Sequence, residues 1–441
     1  MARDTLPVAV LGAGWAGLVA ASELKARGYP VIVFEASPAV GGMAQSFKDD
    51  DGFSFDVGAH FITNRLAGML GLGAECRTVR HYGEAVWFDG RSHSYPYGLV
   101  KNPRFSASAL RSRFAGLRPG TRSATSARDE FAKRYGTALT DQVAAPLVEA
   151  WSGTPADELA PSVVNKISTS LVKTMYLRLA GRLSNRAVAI GYCRELPESA
   201  SVWHVYPASG LGQLVARMAE NVQESIRLSS PVEAVLVEDE RAVAVRVGGE
   251  DIAVSGVFSS LPIHFLPKVV QGTSALDDLA EFRFRPMVFV NVKMDGRQLL
   301  PNVVLWTPEP AFRFFRLTEA TTSMPWLAPD EKTVITADLG CEVGDEIWSM
   351  SNEEITEMVI TQMEAVIPDA RTRVLGSRVM RTKLAYPVFE NSYEARRQAI
   401  ATEFPIEGLV PIGRNGEFDH LLMEDVYWRT VRSVDAFARN E

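Results

Sequence analysis

Pro7 to Glu35 reads PVAVLGAGWAGLVAASELKARGYPVIVFE, and this stretch decides the fold. Residues 7–11 form a short apolar run with the length and branching of a buried strand. Gly12, Ala13, Gly14, Trp15, Ala16 and Gly17 then make a GxGxxG, followed by helical patterning from Leu18 to Arg27. Gly28 suits the end of that helix, Tyr29 to Phe34 reads as a second buried strand, and Glu35 closes it. Gly12 permits the tight turn, Gly14 lets backbone N–H groups approach a pyrophosphate, and Gly17 lets helix and sheet pack closely. The helix N-terminus adds a positive dipole end for the phosphates. Glu35 can accept hydrogen bonds from both ribose hydroxyls, which favours a free 2′-hydroxyl. The stretch reads as a dinucleotide site, and NAD and FAD satisfy it equally.

The 441 residues suggest two or three domains. Hydrophobic residues make up 46% and charged residues 22%, so the chain can bury a large core without disulfides or structural metal. Lys plus Arg number 46 against 53 for Asp plus Glu, a formal charge of −7 that argues against bulk nucleic-acid binding. Cys76, Cys193 and Cys341 form no CxxC pair, so zinc ribbons, redox dithiols and a secreted disulfide framework are not expected, nor is a metal. No stretch reads as a signal peptide or a membrane span. The expectation is a soluble, cytoplasmic protein.

Beyond Glu35 and Ala36 lies the pair Gly41-Gly42, then Met43, and later Phe55-Asp56-Val57-Gly58-Ala59-His60-Phe61. With these segments the chain resembles the FAD-dependent superfamily of amine oxidases, protoporphyrinogen oxidases, phytoene desaturases and UDP-galactopyranose mutases. That resemblance implies FAD as cofactor, backbone amides of the second glycine pair on the pyrophosphate, and Gly58, Ala59 and His60 beside the flavin. It also implies an α/β fold: a Rossmann-type FAD-binding domain with parallel sheet, helices and a β-meander, plus a substrate domain of mixed sheet and helices. Met43 departs from the Arg that amine oxidases usually carry after the glycine pair.

Three more segments carry the resemblance. Tyr206 to Leu214 is similar to the family's YP-x-G-G segment opening a helix. Ile226 to Val235 reads as a strand, with Val232 where the family sets a backbone N–H and C=O on adenine. Leu409 to Phe418, with Gly413 and Arg414, then Asp425 and Val426, is similar to the last FAD motif on the pyrophosphate and ribityl chain. These segments place the FAD-binding domain at residues 1–80, 201–270 and 405–441. Residues 81–100 and 271–404 would form the substrate sheet, with strands expected at Met287–Val292, Asn302–Trp306, Phe312–Leu317 and Thr333–Leu339 and a helix over Asn352–Ile367. Residues 101–200 would be mainly helical, a substrate or lid region. The basic stretch 101–134 is loop-like in its middle: a solvated face, or a contact for an anionic substrate or membrane surface.

An enzyme of this kind would take a hydride from a substrate C–H onto flavin N5 and pass electrons to oxygen or another acceptor. His60 is the candidate catalytic residue, because the resemblance puts it near the flavin ring and histidine titrates usefully. The strand that carries a lysine in many amine oxidases has only Lys293, at its far end. Arg283, Arg285, Arg313, Arg316, Arg381 and Lys383 surround the expected substrate sheet, and inward-facing members would bind phosphate or carboxylate. Arg285, Arg316 and Tyr386 are therefore the candidate substrate residues. The leading reading is an oxidoreductase acting on a polar small molecule, such as a sugar or natural-product intermediate. A nucleotide-sugar mutase working without net redox stays open, although His60-Phe61-Ile62-Thr63-Asn64 lacks the second His of the mutase phrase. A protoporphyrinogen-oxidase-like enzyme and a non-enzymatic flavoprotein also stay open, as does the oligomeric state.

Overall fold

A computed structural model describes residues 6–56, 61–95, 97–116, 123–166 and 171–440. His60, with Gly58 and Ala59, lies outside the described residues. The strand β1 (Val8–Leu11) is wholly buried and leads into the helix α1 (Trp15–Ala26). The strand β2 (Val31–Phe34) follows. They belong to a five-stranded parallel sheet in the order Ile226–Arg227, β2, β1, Gly256–Ser259, Leu409–Pro411. Both faces of a parallel sheet are covered, which is why β1 and β2 are apolar runs instead of alternating ones. Small residues Ala16, Gly17, Ala20 and Ala21 on α1 are buried, and the last helix, Met423–Asn440, packs along it. Trp15 stacks on Tyr427, and its indole N–H donates to the Met423 carbonyl at 2.9 Å.

The strands Val232–Glu238, Arg241–Val247 and Glu250–Ala253 form an antiparallel meander beside this sheet. A seven-stranded mixed sheet is built from two distant parts of the chain, Glu84–Ser94 and Phe284–Pro387. Its long Phe284–Asp295 strand lies between Val374–Pro387 and Lys332–Gly340, antiparallel to both. The α/β class expected from the sequence is observed.

Two local expectations change, at Ile226–Val235 and at Phe312–Leu317. Ile226 to Val235 is two strands, Ile226–Arg227 in the parallel sheet and Val232–Glu238 in the meander. Ser229 at φ 50° and Pro231 turn the chain between them. The stretch 101–134 holds two helices, Pro103–Gly116 and Ala127–Tyr135. Residues 123–126 between them are not helical, and Ser126 accepts from the Asp129 N–H and so caps the second helix. The strand expected over Phe312–Leu317 runs instead from Arg316 to Glu319, and Phe314 is buried ahead of it.

Candidate active site: a glycine cradle and a polar cavity

Backbone dominates the first half of the site. Gly12 turns out of β1 at φ +97°, where a Cβ would meet Ser260 Oγ at 2.3 Å. A Cβ on Gly17 would fall 1.9 Å from the Gly12 carbonyl oxygen, so α1 can pack this close only with glycine there. Helix α1 starts at Gly14 with no side-chain cap and no acidic residue in its first turn. Its free N–H groups and dipole are thus left for an anion. Gly41 bridges Gly14, and its N–H donates to the Ala13 carbonyl at 2.9 Å. Gly42, at φ +55°, would set a Cβ 3.4 Å from the Gly14 Cα. Met43 is half-buried just beyond.

Glu35 holds this turn from the other side. One carboxylate oxygen accepts from the Ala13 N–H at 2.7 Å, and the other accepts from the Ser37 N–H at 2.9 Å and the Ser37 hydroxyl at 2.6 Å. A carboxylate has about four acceptor positions, so capacity remains for a ribose. Ala36 is exposed between these partners. Gly413, at φ +75°, sits where a Cβ would meet Ala16 Cβ at 2.6 Å, with Val426 at its other side. Asp425 is 1% exposed and accepts from the backbone N–H groups of Arg194 and Leu422. Val232 opens the meander, half-buried. A turn stripped of side chains, an uncapped helix start and a carboxylate at the end of β2 fit a dinucleotide carrying a pyrophosphate and an unphosphorylated ribose.

Side chains dominate the second half. A small cavity of about 40 Å³ lies between Asp56 and Phe61 on one side and the seven-stranded sheet on the other. Tyr82, Asn291, Arg316, Thr318 and Asp338 also line it. Arg316 pairs with Asp338, which is 1% exposed, and its guanidinium lies 5.4 Å from the Trp306 ring. Burial works against the Arg316 charge, but Asp338 more than offsets it and holds the guanidinium firmly protonated. Arg316 Nε and Thr318 Oγ1 are buried without a hydrogen-bond partner among the described residues. They sit two apart on one strand and so share a face.

Glu84 braces the wall: it accepts from the Tyr82 hydroxyl at 2.8 Å and from the Trp306 indole N–H at 2.9 Å. Behind Phe61, His204 packs against Phe61, Tyr82 and Tyr192 with ring centroids 4.9–6.0 Å apart. Burial pushes its pKa down to about 4, so it is neutral at pH 7. Asp56 accepts from Ser46 Oγ at 2.6 Å and from the Tyr206 hydroxyl at 2.9 Å. Burial outweighs these bonds and raises its carboxyl to about 6.

The other sequence-predicted residues divide. Arg414 donates to the Ala385 carbonyl at 3.0 Å and lies 5.7 Å from the Tyr386 ring. No carboxylate among the described residues pairs with Arg414, and burial lowers its pKa.. Tyr386 meets Trp151 edge-on at 5.7 Å. Arg285 does not reach the cavity; it pairs with Glu342 and is wedged against Gly153 and Gly340. Lys293 is paired with Asp49 and Asp51. Sequence reasoning missed Tyr82, Asp338 and Asn291, and treated His204 as core or surface. The last two lining residues did leave a signal: Asn291 and Asp338 are polar breaks in the apolar strands MVFVNV and VITADL.

Among the described residues no cluster of His, Cys, Asp and Glu could hold a metal, and no helix is long and apolar enough to cross a membrane. The parallel sheet with its glycine cradle, joined to a mixed sheet, defines a dinucleotide-binding α/β fold. The chain belongs to the flavin containing amine oxidoreductase family, which it matches over residues 15–422. It is similar in structure to a reduced UDP-galactopyranose mutase, with TM-score 0.77, 17% identity, and 99% of this chain and 96% of that chain covered. It is likewise similar to a putative protoporphyrinogen oxidase from Exiguobacterium sp. 255-15, with TM-score 0.74, 16% identity and both chains covered completely. A putrescine oxidase from Kocuria rosea is 42% identical over 94 residues, 20% of each chain. The match to that relative therefore spans about a fifth of its length. Family membership establishes FAD as the cofactor and oxidoreductase as the enzyme class.

Proposed function

We propose that this protein takes a hydride from a polar small molecule recognised by the polar wall that Arg316 and Thr318 form opposite Asp56. The unpartnered donors Arg316 Nε and Thr318 Oγ1 carry this reading, because a buried polar group without a partner costs about 1–3 kcal/mol and a substrate oxygen would satisfy both. When bound, FAD supplies a hydride acceptor at N5 of its isoalloxazine ring. Gly12–Gly17 and Gly41–Met43 would hold the pyrophosphate, Glu35 and Ala36 the ribose, and Val232 the adenine. Gly413, Arg414, Asp425 and Val426 would hold the ribityl end, with Gly58, Ala59 and His60 beside the ring. His204 stays neutral at pH 7 and cannot serve there as a proton donor of useful strength, which leaves His60 as the catalytic candidate. The division at residues 1–80, 201–270 and 405–441 for FAD, with 81–100 and 271–404 for substrate, is part of the same proposal. So is cytoplasmic residence, supported by the free thiols of Cys76, Cys193 and Cys341.

The mutase reading ranks second. It needs several inward arginines for a diphosphate, and Arg285 is engaged by Glu342 while Arg316 is already paired. An anaerobic visible spectrum tests the proposal, repeated with amines, sugars, porphyrinogens and nucleotide sugars. Bleaching by a polar compound is expected. Bleaching by porphyrinogens alone, or isomerisation of a nucleotide sugar by the reduced enzyme with no bleaching, would overturn the substrate class.

A further inference from the structure

We infer that two helices of the 101–200 region form a docking face for an anionic lipid surface. The first observation is charge. Residues 90–128 hold eight Lys and Arg and no Asp or Glu, and residues 159–194 hold six and none, in a chain of formal charge −7. Such segregation creates a local field opposite in sign to that of the molecule as a whole.

The second observation is apolar exposure on the same elements. The Leu171–Ser184 helix leaves Met175, Tyr176, Leu179 and Leu183 in solvent, with Leu183 81% exposed. At about 100° per residue these four fall within one arc of about 100°. Arg178 and Arg182 border that arc, and Leu177 on the opposite side is buried. The Pro103–Gly116 helix repeats the design. Leu110 and Phe114 are exposed, Phe114 at 64%, between Arg113 on one flank and Arg104 and Arg111 on the other, while Phe105 is buried. Arg178 donates to the carbonyl of Tyr95 at 3.4 Å, which ties the Leu171–Ser184 helix to the segment that leads into the Pro103–Gly116 helix.

An apolar row bordered by basic side chains is the pattern of a helix lying in a membrane interface. The row enters the acyl boundary and the long cationic stems reach the headgroups. A nucleic acid or an acidic protein surface would use the arginines but leave no role for Leu179, Leu183, Leu110 and Phe114. Neither helix spans a bilayer, since both are fourteen residues long.

Flotation of the FAD-loaded full chain with lipid vesicles tests this. The protein is expected to float with phosphatidylcholine vesicles containing about a third phosphatidylglycerol and to stay behind with pure phosphatidylcholine. Combining Leu110→Ser, Phe114→Ser, Leu179→Ser and Leu183→Ser should cut partitioning at least about tenfold while the flavin spectrum and thermal midpoint stay unchanged. Combining Arg104→Gln, Arg111→Gln and Arg182→Gln should abolish the preference for the anionic lipid. No flotation at low salt, flotation unaffected by the serine variant, or tighter binding to duplex DNA or polyglutamate than to vesicles would each overturn the proposal.

Discussion

Around Gly12–Gly17 the structure excludes side chains, whereas around Arg316 it collects them from remote strands. The cradle is made by one short stretch, with Gly42 in contact with Gly14 and Gly413 so close that a Cβ on it would fall 2.6 Å from the Ala16 Cβ. The cavity draws Asp56, Tyr82, Arg316 and Asp338 from four separate places in the chain. A backbone site tolerates no added atom but involves no buried charge. A side-chain site tolerates changes of shape, yet depends on charges remaining paired. The two halves should therefore fail in different ways.

The largest effect is expected from breaking the pair. Arg316→Met leaves Asp338 buried and unpaired, which should cost about 3–5 kcal/mol in urea unfolding. Adding Asp338→Asn to it should recover most of that loss, because the uncompensated charge is then gone. A single variant costing less than about 1 kcal/mol would show that this half does not depend on its ion pair.

One methyl group is the corresponding test of the cradle. Gly17→Ala places its Cβ 1.9 Å from the Gly12 oxygen, so the turn must move. A destabilisation of about 1–3 kcal/mol is expected from the overpacking, although alanine favours a helix interior over glycine by about 1 kcal/mol. Because the shift displaces the N–H groups at the α1 start, FAD retention measured by fluorescence should drop about a hundredfold. Wild-type FAD affinity in this variant would remove the close-packing argument.

This contrast also explains what could be read in advance. The strand, GxGxxG, helix, strand and Glu35 lie within 29 residues, and each is a local requirement that leaves its mark on adjacent residue types. The cavity obeys no local spacing. Tyr82 and Asp338 meet through the pairing of Val304–Trp306 with Glu84–Phe88 and of Arg316–Glu319 with Lys332–Gly340, and His204 comes behind Phe61 through the pairing of His204–Pro207 with Ile62–Thr63. Arginines at Arg285 and Arg316 looked equivalent in sequence. Glu342 engages the first and Asp338 the second, and no pattern near either arginine announced its partner.

The smallest effect expected lies at the seam of the two halves, where two titrations oppose each other. His204 has a folded pKa of about 4 against an ordinary 6.5. As pH falls below 6.5 the unfolded chain takes up a proton that the folded chain refuses, so this residue makes stability decline toward pH 4. Asp56 has a folded pKa of about 6 against an ordinary 3.8. Here the folded chain binds the proton first, so the same acidification adds stability between pH 6 and pH 4. Each contribution is about 3 kcal/mol, and the pair should cancel to within about 1 kcal/mol. Substitution separates them. Relative to wild type, His204→Phe should gain stability as pH drops from 7 to 4.5, and Asp56→Asn should lose it, in urea unfolding at both pH values. Differences from wild type that stay constant with pH would mean that neither group is buried in its stated protonation state. Opposite slopes would instead show that the aromatic wall behind Phe61 and the Ser46–Tyr206 bonds on Asp56 act on a common, water-poor seam.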